Sequence, residues 1–319
     1  MNKTILSLAL LASATLSAWG QSAFPARPIS MIVPFPAGGA LDIVARVLAK
    51  EMTPLMGQPV IVENRAGAAG TIGSAVVARA QPDGYTVLFG SLATHALGPA
   101  LYPKIQYDAL KDFSPIMQVT SAPLVFASSA TLPATSVNQL IALAKSKPGT
   151  LNYASTGIGT AEHLAGTLLA ATTGINVVHV PYKGGAEAKT ALITGESSYT
   201  ITNIQLALPQ IQDGKLRALA VTGPRRLGIL PDAPTLAEAG VAGVDVTTWF
   251  GLFAPANTPP DVVNRINRDA QTALKTMREK MLAQGDEPVG SSPAQFAEFV
   301  KAEHAKWGKV VRDANIKSE

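Results

Sequence analysis

Residues 29–56 read ISMIVPFPAGGALDIVARVLAKEMTPLM. The opening ISMIV is an apolar run of strand length. Pro34, Pro36, Gly38 and Gly39 then make a turn. The remainder has helical period, because Val44, Val47, Leu48, Met52 and Leu55 fall on one face. Gly57 is placed to stop the helix, and Pro59 lies just beyond it. A glycine-rich turn between a strand and a helix aims unpaired N–H groups at one point, and the helix adds its partial positive end there. Such a turn is an anion seat. It predicts a protein organised around a small carboxylate.

The same unit recurs downstream. Residues 59–63 (PVIVE) are a short apolar strand, residues 64–70 (NRAGAAG) a second glycine-rich turn, and residues 71–80 an alanine-rich helix. Pro82-Asp83-Gly84 signals a turn, and residues 85–89 (YTVLF) a third strand that ends in a loop at residues 90–95. Strands alternating with helices predict right-handed βαβ units and a parallel sheet, with ligand loops beyond the C-terminal strand ends. Those loops are residues 34–42, 64–73 and 90–95. Gly67, Gly70 and Gly73 lack the spacing of a dinucleotide fingerprint and follow the second strand, so they read as turn and close-packing glycines.

From Leu124 the pattern restarts. Strands are predicted at residues 124–127, 151–154, 176–180, 198–202 and 216–222, and helices at 137–146, 161–173, 186–194 and 206–213. Two loops again precede helices: residues 155–160 (STGIGT) and residues 181–185 (PYKGG). The second series repeats the logic of the first, which suggests two similar lobes with anion-seeking loops on one edge. A short helix is expected at residues 236–239 and a strand at 244–254 (VDVTTWFGLFA). That strand should return the chain to the first lobe, where helices from Pro260 to about Gln284 and over residues 293–312 pack.

The N-terminus reads as a secretory signal peptide. Lys3 supplies the positive start, residues 5–16 the apolar segment, and Ala18-Trp19-Gly20 or Ala23 a cleavage site. A membrane anchor is the competing reading, but the run is well short of the roughly 20 apolar residues a span needs. Of 319 residues, 47% are hydrophobic and 15% charged, enough for one large core or two smaller ones. There is no cysteine, hence no disulfide, thiol chemistry or lipobox anchor. The net charge of +4 is scattered, which argues against nucleic acid and suits a small anion.

No nucleophile elbow, zinc-protease helix or Walker A motif occurs, and the four histidines have no ligand spacing. Neither a metal nor a cofactor is expected. His163 reads as a packing or hydrogen-bonding residue at a helix start, with ligand contact the second reading, and His179 as a core residue. His95 either faces the cleft or is structural. Asp42 either complements the helix dipole or borders the seat. Trp249-Phe250 reads as interlobe packing, with ligand contact the second reading. One helix end contributes roughly 0.3–2 kcal/mol to a bound anion, and a charge-assisted hydrogen bond about 1.5–3 kcal/mol. Two such loops can approach the roughly 8 kcal/mol of micromolar affinity if closing lobes exclude water.

At residues 32–42 (IVPFPAGGALD) the sequence resembles the Bug family, the periplasmic solute receptors of tripartite tricarboxylate transporters. The resemblance continues through VENRAGAAGTIGS (62–74), PDGYTVL (82–88), LNYASTGIGTAEHLAG (151–166), VHVPYKGGAEA (178–188), GKLRALAVTG (214–223), LPDAPTLAEAG (230–240) and WFGLFAPANTP (249–259). It implies an α/β, two-lobe, type II periplasmic-binding (Venus-flytrap) fold with the ligand cleft between the lobes. The expected division is residues 1–23 as signal peptide, 24–122 plus 245–319 as lobe 1 and 123–244 as lobe 2.

The resemblance also implies that the carboxylate is held by residues 35–42 and 155–160, partly through waters. Candidate ligand-binding residues are Phe35, Ala37, Gly38, Gly39, Asp42, Ser91, Thr94, His95, Ser155, Thr156, Gly159, Thr160, His163, Tyr182 and Asn203. Two positions depart from the family pattern. Leu41 stands where a small polar residue is common, and SYTITN (198–203) replaces an acidic strand end. A less acidic, more apolar pocket is expected, for an aromatic or otherwise apolar-bodied carboxylate. The protein is expected to be a periplasmic, monomeric receptor that delivers its ligand to membrane permease subunits, without an anchor of its own. A secreted α/β hydrolase and a ligand-presenting sensor module are the alternatives.

Overall fold

The computed structural model describes residues 24–102, 104–313 and 316. The expected signal peptide, residues 1–23, lies outside the described residues. The first strand, β1 (Ile29–Val33), runs into helix α1 (Ala40–Met56), and β2 (Val60–Asn64), α2 (Thr71–Ala78) and β3 (Thr86–Ser91) follow. Both β2 and β3 pair with β1 in parallel. Helix α1 stops at Gly57, whose φ of 71° is left-handed. Its inward face is Val44, Leu48, Met52 and Met56, while Leu55 is exposed. The helix turns Leu55 away from the core, and Met56 packs inward instead.

After β3 the chain does not loop, as expected at residues 90–95, but enters a π turn (Ala93–Leu97) and a short helix α3 (Gly98–Leu101). Strand β4 (Phe113–Ser129) is far longer than the predicted 124–127, because Pro115 and Pro123 mask its first part. Pro115 is tolerated beside a register shift of the ladder, and Pro123 where the strand changes partners. The second series is α4 (Val137–Ser146), β5 (Asn152–Ser155), α5 (Ala161–Thr173), β6 (Val178–Pro181), α6 (Gly185–Thr194), β7 (Tyr199–Asn203), α7 (Ile204–Gln212) and β8 (Leu216–Val221). The short helix expected at 236–239 is a run of turns. Strand β9 (Thr247–Pro255), helix α8 (Pro260–Ala283), the two-residue β10 (Glu287–Pro288) and helix α9 (Pro293–Asp313) complete the chain.

The strand order is β2-β1-β3-β9-β4-β7-β5-β6, with β8 and β10 also on β4. Strand β4 is common to two sheets. Up to Pro123 it pairs antiparallel with β9, and from Leu124 onward with β7 and β8. In the second sheet, β5 pairs with β6 and β7 in parallel. The α1 face packs on α8 through a cluster that includes Val262, Ile266, Ala270 and Met277. Val125, Leu192, Ile204 and Leu216 form a separate cluster in the second sheet's half. Gly73 permits the close approach of β1, since a Cβ there would lie 2.6 Å from Arg65 O and 2.8 Å from Pro34 Cβ.

Candidate functional site

A cavity of about 60 Å³ lies where the two strand-end edges face each other. A bound water occupies roughly 10–15 Å³ on this scale, so the space suits a small solute. One wall comes from the β1–α1 turn (Phe35, Pro36, Gly39, Ala40, Leu41) and the end of β3 (Ser91, Ala93). The opposite wall comes from the starts of α5 (Thr156, Thr160, Ala161, Glu162), α6 (Gly184, Gly185) and α7 (Asn203, Leu206). Thr248 and Phe250 of β9 close the space at the side. The edges touch around it: Tyr102 Oη donates to Ile158 O at 2.9 Å, and a Cβ on Gly184 would lie 3.2 Å from Pro36 Cγ.

Four helices therefore begin at this cavity. Their N-cap residues are Gly39, Thr160, Gly184 and Asn203. Only Thr160 caps with its side chain, accepting from His163 N–H. The starts of α1, α6 and α7 have no side-chain cap, so their first-turn N–H groups lack that acceptor. Among the described residues, no lysine, arginine or histidine lines the cavity. Ser91 Oγ and Asn203 Oδ1 are buried with no hydrogen-bond partner among the described residues.

Among the described residues, Glu162 is the one ionisable group in the lining. Its Oε2 accepts from Thr156 Oγ1 at 3.0 Å and its Oε1 from Asn203 Nδ2 at 2.7 Å. It is 3% exposed. Burial raises its carboxyl above the ordinary range, against the hydrogen bonds that favour its charge. Glu162 is not among the sequence-predicted residues. The available signal was an acidic residue in the first turn after a serine- and threonine-rich loop. The pocket is thus apolar on much of its surface, as expected from Leu41, yet it is not free of acid.

The structure brings six of the sequence-predicted residues to the cavity: Phe35, Gly39, Ser91, Thr156, Thr160 and Asn203. The others lie elsewhere. Ala37 and Gly38 are exposed at the rim. Asp42 is buried behind the turn, where it accepts from Gly38 N–H (2.9 Å), Asn64 Nδ2 (2.9 Å) and Arg46 Nε (3.0 Å). Burial opposes ionisation there, but the hydrogen bonds from Arg46, Gly38 and Asn64 outweigh it and hold the carboxyl below its usual value. Asp42 shapes the turn and takes up the Gly38 N–H itself.

Thr94 and His95 are fully buried behind the β3 end, because the expected loop is helical. Thr94 Oγ1 accepts from Ser91 N–H and lies 2.8 Å from His95 Nδ1, and His95 stacks on Phe253 at 3.8 Å. Burial, with His304 nearby, pushes His95 down to about 3, so it is neutral at neutral pH. Gly159 N–H donates to His163 Nδ1 at 3.3 Å, inside the loop. Tyr182 Oη pairs with Ser197 Oγ at 3.1 Å, away from the lining. Trp249 is not interlobe packing. It lies against Phe296 and Phe299 of α9, and its Nε1 donates to Glu303. Phe250, the next residue, faces the cavity.

Ser155 and His179 do form a Ser–His hydrogen bond of 2.6 Å, which no sequence motif announced. Neither residue lines the cavity. Ser155 is fully buried and accepts from Gly157 N–H. His179 is stacked between Tyr153 and His163, and burial together with His163 pushes it down to about 4. A general base works best with a value near the operating pH, so this pair serves the loop and not proton transfer.

A curled α/β sheet divided between two lobes, with a small solute cavity ringed by helix starts, defines a two-lobe type II solute-binding protein. The chain belongs to the tripartite tricarboxylate transporter receptor family, whose model matches residues 44–316. It is 40% identical over 297 residues to protein BugT of Bordetella pertussis, covering 92% of this chain and 91% of that one. The solved periplasmic binding protein BugD superposes with a TM-score of 0.88 at 36% identity, over 93% of this chain and 100% of that one. MatC of Rhodopseudomonas palustris, solved with bound malate, gives a TM-score of 0.85 at 34% identity, over 90% and 100%.

Proposed function

We propose that this protein captures a small carboxylate between its lobes in the periplasm and hands it to the permease subunits of a tripartite transporter. The observation that carries this reading is the convergence of four helix N-termini on one small cavity that no basic side chain lines. Helix ends and their N–H groups hold an anion without a counter-charge, which keeps the ligand exchangeable. The malate in MatC supports a carboxylate ligand. We assign lobe 1 to residues 24–122 plus 245–319 and lobe 2 to 123–244, a division supported by the exchange of β4 partners after Pro123. Residues 1–23 serve as the signal peptide. Phe35, Leu41, Leu206 and Phe250 favour an apolar-bodied acid. The protein acts as a binder and not an enzyme, since the Ser–His pair lies off the cavity.

Thermal unfolding of the mature protein against mono-, di- and tricarboxylates and aromatic acids tests this. A ligand at 100 times its dissociation constant should add about 2.7 kcal/mol. Ala161→Leu, which fills the cavity from the α5 start, should abolish the shift in a variant that still folds. An absence of any shift in protein freed of co-purified solute by denaturation and refolding would sink the carboxylate reading. A clear preference for aliphatic over aromatic acids would sink the apolar-body reading alone.

A further inference from the structure

The four helix starts are not equivalent. Glu162 already fills two of them with its carboxyl oxygens. Its carboxyl belongs to the first turn of α5, and it accepts from Asn203, the N-cap of α7. Asn203 gives its amide to Glu162 instead of capping its own helix, and this leaves Asn203 Oδ1 buried and unpartnered in the lining. That end of the cavity is therefore a wall of acceptors: a carboxyl and an amide oxygen, with no cation beside them. The other two starts, at Gly39 of α1 and Gly184 of α6, face each other across the cleft and retain uncapped donors. The cavity has a donor end and an acceptor end.

We propose that Glu162 is a specificity-determining residue that selects carboxylates bearing a hydrogen-bond donor, above all an ammonium group, at the end remote from the carboxylate. This rests on the carboxylate reading above and sharpens it. The ligand carboxylate goes to the α1 and α6 starts, and its ammonium or hydroxyl meets Glu162 and Asn203 Oδ1. A second carboxylate on the ligand would set its oxygens against these acceptor oxygens in a small enclosed space, where repulsion is weakly screened. The ammonium supplies the cation that this buried carboxyl lacks.

Calorimetric titration of the mature protein with near-isosteric probes separates the possibilities. The pairs are 4-aminobutyrate against glutarate, and 4-(aminomethyl)benzoate against terephthalate, with 4-hydroxybutyrate as the uncharged donor. The amine should bind at least tenfold tighter than its dicarboxylate partner in at least one pair, with the hydroxyl intermediate. Glu162→Gln, which keeps the shape, can still accept from Asn203 and can donate to the Thr156 hydroxyl, should shrink that ratio to within threefold. The wild-type order carries the test even if the variant folds poorly. Tighter binding of the dicarboxylates, an unchanged ratio in the folded variant, or no binding of any amine probe would overturn the role of Glu162. A protein that fails here but responds to other acids in the thermal panel keeps the carboxylate reading.

Discussion

Asp42 shows how a residue beside a cavity can shape it without lining it. Its carboxylate is 3% exposed and satisfied by the Gly38 N–H, Asn64 and Arg46. The turn that presents Gly39, Ala40 and Leu41 to the cavity is built on those bonds. Asp42→Ala should therefore lower the stability of the unliganded protein by about 1–3 kcal/mol, measured by urea unfolding. A variant of normal stability that merely lost binding would assign Asp42 to the ligand after all. His95 carries the same lesson. A polar residue at a strand end reads as a cleft residue, but the π turn carries the ring inward onto Phe253. Glu162 is the converse case, an unremarked acid that the fold directs into the lining.

At the scale of elements, closure depends on how nearly the β1–α1 turn and the α6 start can meet. Gly184 has extended backbone, so space and not conformation excludes a side chain there. A Cβ at 3.2 Å from Pro36 Cγ would prop the cleft open by a few tenths of an ångström. Gly184→Ala should weaken binding by about 1 kcal/mol, roughly fivefold, without lowering the unliganded midpoint. Tyr102→Phe removes the 2.9 Å bond to Ile158 O and should cost about 0.5–1.5 kcal/mol of affinity. Titration of both variants with any hit from the thermal panel checks this. Unchanged affinity in both would mean that binding does not require these contacts.

For the whole molecule, the region where β4 changes partners carries a buried acid. Asp286 is 2% exposed, and its Oδ1 accepts from Thr120 of β4 and Gln205 of α7 while its Oδ2 has no partner among the described residues. Burial pushes it up to about 6, beyond what those two hydrogen bonds recover. A folded-state value above the unfolded one means that the folded protein keeps a proton the unfolded chain has released. Stability from this group is thus full below about pH 4, falls as pH rises toward 6, and is constant above that. Relative to Asp286→Asn, the wild type should lose about 2 kcal/mol between pH 4 and 7.5, read from denaturant midpoints at the two values. A difference independent of pH would show that Asp286 titrates normally.

The sequence by itself determined what depends on neighbours in the chain. The strand Ile29–Val33, the helices Val137–Ser146 and Ala161–Thr173, the two parallel βαβ series and the glycine- and threonine-rich helix starts were all legible, because periodicity and capping are local. The family was legible too, from motifs spread in order along the chain. The first part of β4 was not, since Pro115 and Pro123 hide a strand whose ladder comes from β9, far along the chain. Which polar residues face the cavity was decided only by tertiary structure. Thr248 and Phe250 reach it from β9, and Ser155, His163 and Asp42 turn away because loop N–H groups and buried partners claim their polar atoms first. Local pattern sets where a helix starts, but the packing of one edge against the other sets which atoms at that start remain open to a ligand.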